Sequence, residues 1–294
     1  MIHRSLLSVL LFTATLFAQP NPDWHKEFPA FKIAGNLYYV GTADLAVYLV
    51  HTTDGNILIN SDFKQDLPLI KKSIASLGFK YADTKVILIS HAHNDHDDAV
   101  GLIEQETHAK LMVMDADVKD VQSTEPGHPG AHVDRVLHDG DSVAMGGARL
   151  IAHLTPGHTK GCTTWTMRIR EPNRVLNVVI VGSPNVNAGY YLVNNKTYPG
   201  IAEDYVMTFS VLKGLACDIF LGAHGEYFGM KAKYEKFKAG DKDAFIDPQG
   251  YRDFIALKEK PSKTNGNALR RTPALLSPNA RVSTEPPDTR QSPH

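Results

Sequence analysis

His91-Ala92-His93-Asn94-Asp95-His96 places four potential metal ligands within six residues. The stretch follows residues 85–90 (KVILIS), a short apolar run that reads as a buried strand. It precedes residues 97–104, which read as the first turns of a helix with acids at its start. The ligands therefore sit on a strand-to-helix loop at the carboxyl end of a strand, where α/β folds place their chemistry. Imidazole and carboxylate together suit zinc, and less selectively iron or manganese.

Two further loops carry a histidine just past a strand. Residues 149–154 alternate and read as a strand, and Thr155-Pro156-Gly157-His158 turns sharply after it. Residues 217–221 read as another, ending in Gly222-Ala223-His224-Gly225. One catalytic zinc needs three protein ligands and an open position. His91, His93, His158, Asp95, His96 and His224 therefore fit two zinc ions, which such sites hold roughly 3.5–4 Å apart. The first zinc would take His91, His93 and His158, and the second Asp95, His96 and His224. Within the first loop alternation explains the split, since His91 and His93 share one side of an extended loop while Asp95 and His96 turn the other way at the helix start. Zinc lowers the pKa of bound water to about 7, so a metal-bound hydroxide could attack an ester, thioester, lactone or amide carbonyl. Phosphodiesters and sulfate esters are also within reach. His128 and His132, in the Gly/Pro-rich loop 123–132, and His153, within a strand, read as ordinary histidines.

The rest of the chain supports an α/β fold. Residues 36–41 and 45–51 read as strands, and Thr53-Asp54-Gly55-Asn56 turns the second into residues 57–59 as a hairpin. Leu67, Ile70, Ile74 and Leu77 recur at helical spacing, with Gly78 as the stop. Residues 110–114, 163–169 and 176–181 read as strands, with Asp115 as cap of a short helix after the first. Residues 201–215, 230–237 and 248–257 read as helices.

The 294 residues are 43% hydrophobic with a net charge of −1, enough for a large core and without the basic footprint of nucleic-acid binding. Residues 1–18 read as a signal peptide: His3 and Arg4, an apolar run over 5–17, and a small residue at Ala18. The expectation is a periplasmic or secreted protein with no stable membrane association, an uncleaved anchor being the alternative. Residues 19–260 form the domain. Residues 261–294 are rich in Pro, Ser, Thr, Asn and Arg and read as a disordered tail, with a docked tail as the alternative. The two cysteines, Cys162 and Cys217, form no C-x-x-C knuckle, though an exported protein could pair them.

These residues resemble the metallo-β-lactamase superfamily over about residues 24–260. The match rests on the H-x-H-x-D-H stretch, residues 31–42 (FKIAGNLYYVGT), 155–166 (TPGHTKGCTTWT), Gly182-Ser183 and 221–225 (LGAHG). The likeness is greatest to class B subclass 3. It implies a four-layer αβ/βα sandwich and two Zn2+ ions with the same ligand split; a monomer is expected. It also implies hydrolysis of the β-lactam amide bond, with Asp95 orienting the nucleophile. Ser183 discriminates: glyoxalase II, lactonases and many phosphodiesterases of the superfamily carry a bridging Asp after this strand, and the first two β-lactamase subclasses a Cys ligand. A neutral Ser is a donor to a substrate carboxylate. By the same resemblance Ser183, Asn185 and Asn187 contact the β-lactam. Lys160 stands where a Pro is often seen. In relatives the positions of Cys162 and Cys217 pair with cysteines this chain lacks, so both are expected as free thiols. Another hydrolase of the fold, a lactonase or thioesterase, is the alternative, and a non-catalytic zinc-binding relative a third reading.

Overall fold

The computed structural model describes residues 21–260. The signal peptide read over 1–18 and the tail read over 261–294 lie outside the described residues.

Seven strands form the first sheet in chain order: β1 (Phe31–Ala34), β2 (Leu37–Tyr39), β3 (Tyr48–Thr52), β4 (Gly55–Ile59), β5 (Thr84–Leu88), β6 (Lys110–Met114) and β7 (Arg135–Leu137). Pairing is antiparallel up to β4 and parallel from β4 onward. The second sheet runs β12 (Ile219–Gly222), β11 (Arg174–Val181), β10 (Thr163–Glu171), β9 (Ala148–Leu154) and β8 (Ser142–Met145). Only its β11–β12 pair is parallel.

Strands that read as unbroken apolar runs are buried on both faces. Ile57, Ile59, Val86 and Leu88 enter the core shared by the two sheets. Leu58 and Ile87 face the opposite way, into a second cluster with Leu67, Ile70 and Ile74 of α1 (Leu67–Ser76). A short α2 (Asn94–Asp97) leads into α3 (Val100–Thr107), whose Val100 and Ile103 join that cluster. After α4 (Val118–Gln122), the second sheet is covered by α5 (Ile201–Gly214) and α7 (Pro248–Glu259), which flank α6 (Met230–Lys238) in sequence. Phe220 of β12 packs its ring against Tyr251 and Phe254 of α7. The result is the helix–sheet–sheet–helix sandwich that the resemblance implied. Each fully buried Leu or Ile contributes about 1.5–3 kcal/mol to it.

The structure corrects several local readings. The strand read over 36–41 ends at Tyr39 and pairs with β1, because Gly35 at φ 48° makes a tight turn. β7 and β8 are short and only partly buried, and so carried no clear strand pattern. The helix read from 97 begins at Asn94, so Asp95 and His96 lie within its first turn, and it breaks before α3. Asp115 does not cap the helix after β6; Asp117 occupies the N-cap of α4, and its side chain turns elsewhere.

Candidate metal centre

The three ligand loops converge at the carboxyl ends of β5, β9 and β12. Ligand atoms of His91, His93 and His158 all lie within 4.8 Å of one another. Beside them, Asp95 Oδ2 stands 3.2 Å from His96 Nε2 and 3.5 Å from His224 Nε2, and the two Nε2 atoms are 3.2 Å apart. His91, Asp95 and His96 also form a compact trio, so the two triads adjoin through His91. His128, His132 and His153 are not among the residues so grouped.

Hydrogen bonds at the far side of two rings fix their tautomers. His158 Nδ1 donates to the Asn185 carbonyl at 2.8 Å, and His224 Nδ1 donates to Asp44 Oδ2 at 3.1 Å. Each Nε2 is thereby left with a lone pair turned toward the cluster, the arrangement a metal requires. His96 Nδ1 is buried with no protein partner, and its Nε2 faces that of His224. Lone pairs so close need a cation or a shared proton between them.

Charge states agree. Burial first, and then the neighbouring histidines, pull His91 well below its usual pKa and bring His158 down to about 3. Burial likewise lowers His93 and His96 despite the Asp95 carboxylate. Burial alone would raise Asp95, but His96 and His224 overcome it and hold the carboxyl well below the ordinary range. Neutral imidazoles and an ionised carboxylate are the metal-binding forms.

Distant residues aim the loops. Asn60 Oδ1 accepts from Ser90 N at 2.7 Å while its Nδ2 donates to the Ala46 carbonyl. Ser61 N and Oγ both donate to the His96 carbonyl. Across the sandwich, Trp165 Nε1 donates to the Ile89 carbonyl at 3.0 Å and Thr163 N to the Ser90 carbonyl at 2.7 Å. Asp44 gathers the His224 ring, Trp24 Nε1 and the Glu226 amide. Asp117, fully buried, accepts from Ala92 N, Thr159 Oγ1 and Gly161 N. Sequence reasoning found none of these positioning residues; the carboxylates look like ordinary surface acids in the chain.

Ser183 follows β11 and is buried between the His158 and His224 loops. Its Oγ lies 3.2 Å from the Tyr227 hydroxyl, which accepts from Asn185 Nδ2 at 2.7 Å. Asn187 is exposed, and its backbone carbonyl accepts from Tyr190 N. A cavity of about 630 Å³ opens beside His158, lined by Tyr190, Tyr191, Val193 and Tyr198.

This fold and centre define a class of protein. The family model of the metallo-beta-lactamase superfamily matches residues 45–171. The native FEZ-1 metallo-beta-lactamase from Legionella gormanii is 51% identical, covering 79% of this chain and 93% of its own, with a TM-score of 0.77. The subclass B3 enzyme BJP-1 of Bradyrhizobium japonicum is 37% identical over 80% and 92% of the two chains, TM-score 0.76. Among curated proteins, a hydroxyacylglutathione hydrolase of Fuscovulum blasticum is 29% identical over 118 residues, 40% of this chain. This chain spans 41% of that relative's length and 34% of a probable metallo-hydrolase of Burkholderia pseudomallei. The chain belongs to the metallo-beta-lactamase superfamily and is most like the class B3 enzymes within it. It is a hydrolase of that fold with a histidine–aspartate group suited to metal. Among the described residues, no helix is long and apolar enough to cross a membrane.

Proposed function

We propose that this chain hydrolyses the amide bond of β-lactams with two zinc ions, one held by His91, His93 and His158 and one by Asp95, His96 and His224. The imidazole and carboxylate donors suit zinc, and the bare Nε2 atoms of His158 and His224 are in the ligating tautomer. When bound, zinc supplies Lewis acidity and lowers the pKa of a coordinated water to about 7. Asp95, ionised at neutral pH, accepts a hydrogen bond from the attacking water and orients it toward the carbonyl carbon. Ser183 donates to the substrate carboxylate; its hydroxyl is bonded to Tyr227 and Asn185 rather than to a histidine, so it is not set up as a nucleophile.

The observation that carries this reading is the neutral Ser183 between the two ligand loops, where thioesterases and lactonases of the fold bring a bridging acid. The FEZ-1 and BJP-1 relatives support it. Thioester hydrolysis is the second reading, favoured by the hydroxyacylglutathione hydrolase relative. Zinc-loaded protein assayed in parallel with nitrocefin, an acylglutathione thioester and a homoserine lactone decides between them. Nitrocefin turnover that chelation abolishes, with two zinc ions per chain by elemental analysis, is the expected result. Thioester turnover without nitrocefin turnover overturns it. The proposal includes a monomeric, exported protein, periplasmic or secreted, which size measurement and N-terminal sequencing of the mature chain test.

A further inference from the structure

Asn185, Tyr227 and Ser183 form a short chain of hydrogen bonds between the two ligand loops. Asn185 Nδ2 donates to the Tyr227 oxygen at 2.7 Å, and that oxygen lies 3.2 Å from Ser183 Oγ. Ser183 Oγ also takes a long bond from the Asn185 amide at 3.4 Å. The two hydroxyls carry two protons and share one bond. Among the described residues neither has another acceptor, so one O–H is left unpaired. Asn185 donates to both oxygens, but its bond to Tyr227 is much the shorter and a phenol O–H is the stronger donor, so Tyr227 donates to Ser183 and the Ser183 proton is the one released.

A buried O–H without an acceptor is costly, and an anion that only accepts satisfies it. One cation stands near the pair, while the Asp95 and Glu226 carboxylates act on Tyr227 through space without bonding to it. Lys258 Nζ stands 5.6 Å from the Tyr227 ring centroid, and no carboxylate hydrogen-bonds to any of the three residues. The Tyr227 ring is held at both ends, 5.0 Å from His224 and 5.1 Å from Phe254. The Asn185 backbone is held as well, its carbonyl accepting from His158 Nδ1 and from the Tyr205 hydroxyl at 2.6 Å. One hydrogen of the Asn185 side-chain amide is engaged by Tyr227.

We propose that Tyr227 is a positioning residue for substrate specificity, orienting the Ser183 hydroxyl so that its single free proton meets the substrate carboxylate. The proposal rests on the β-lactamase reading. It assigns Asn185 to holding Tyr227, and it makes a carboxylate beside the scissile amide a requirement for tight binding.

The test compares zinc-loaded wild type and Tyr227→Phe on nitrocefin and on its methyl ester. The variant keeps the ring and both aromatic contacts, and its zinc content and melting temperature serve as the check on folding. Losing one hydrogen bond should raise KM for nitrocefin about three- to tenfold, with kcat changed less than twofold. KM for the ester should not move. A ring-opened cephalosporin, which is not turned over, gives the same comparison by binding: Trp24, 5.9 Å from the His224 ring, reports its Kd by fluorescence. Its Kd should weaken about three- to tenfold in the variant, and that of its carboxylate methyl ester should not. Equal shifts for acid and ester, or a fall in kcat with KM unchanged, overturn the proposal while leaving β-lactam turnover standing. Wild type that turns over neither β-lactam refutes the parent reading, and the Kd comparison then judges Tyr227 alone. If Tyr227→Phe loses zinc or unfolds, Asn185→Ala, which removes the donor to Tyr227, should give a smaller shift of the same selectivity; no acid-against-ester difference there overturns the proposal.

Discussion

Asp117 Oδ1 accepts a 2.6 Å hydrogen bond from the Gly161 amide, and through it the start of α4 is tied to the loop that carries His158. The other oxygen takes Thr159 Oγ1 at 2.7 Å and Ala92 N at 3.0 Å, and Ala92 lies between His91 and His93. One buried carboxylate thus sets the distance between both loops of the first triad. The approach is so close that a Cβ on Gly161 would come 2.7 Å from the Asp117 carboxyl carbon.

Asp117→Asn puts an amide N–H₂ where a backbone N–H now donates. The expected cost is about 1–3 kcal/mol of stability, from one donor left unpaired in the interior. Zinc affinity should fall about 10–100-fold, the range seen when residues behind metal ligands are lost. Gly161→Ala should weaken zinc in the same direction. Chelator competition with denaturant titration measures both; wild-type zinc affinity in both variants would show that this carboxylate does not set the first triad.

On the proposed two-zinc reading, Asp44→Ala should act on one metal alone. It removes the acceptor of His224 Nδ1, so the ring loses its fixed tautomer and orientation. One of two zinc ions should bind about 10–100-fold more weakly, with the other unchanged. A two-step chelator titration separates them, and equal weakening of both steps would contradict the split between the triads.

Glu104 on α3 lies away from the centre and gives a pH test of the fold. Burial, with the Asp134 carboxylate nearby, pushes its carboxyl from 4.5 up to about 7 even though the His132 amide donates to it. The folded chain therefore holds the proton more tightly than the unfolded chain. That contribution is complete below pH 4.5 and is lost as pH rises through 7. Glu104→Gln keeps an acceptor and stays neutral. Its stability should match wild type below pH 4.5 and exceed it increasingly up to pH 7, by denaturant titration at a series of pH values. Parallel curves across this window would refute the assignment.

Cys162 and Cys217 are both unpaired in the structure, and burial pushes each thiol up to about 12. Cys162 Sγ is further occupied as the acceptor of the Ser183 amide at 3.2 Å. A thiolate-seeking disulfide reagent should react slowly with native protein and titrate two thiols per chain once the protein is unfolded. A Cys162–Cys217 crosslinked peptide in unreduced protein would contradict the structure.

His91, His93, Asp95 and His96 were legible in the chain because one short loop carries them and local geometry spaces them. The apolar runs around them were legible too, since strands buried on both faces must be apolar throughout. His158 and His224 could be picked out as residues just past strand ends, but their meeting is a property of the sandwich. Tertiary structure alone decided what holds the centre. Asp44 is 180 residues from His224, Asp117 is 44 from Gly161, and Tyr227 is 42 from Asn185. No propensity or periodicity encodes such a bond, because its energy depends on where two distant backbones come to rest. The edge strands β7 and β8 were missed for a related reason: their short, half-exposed residues gain order from the neighbouring strand rather than from a pattern of their own.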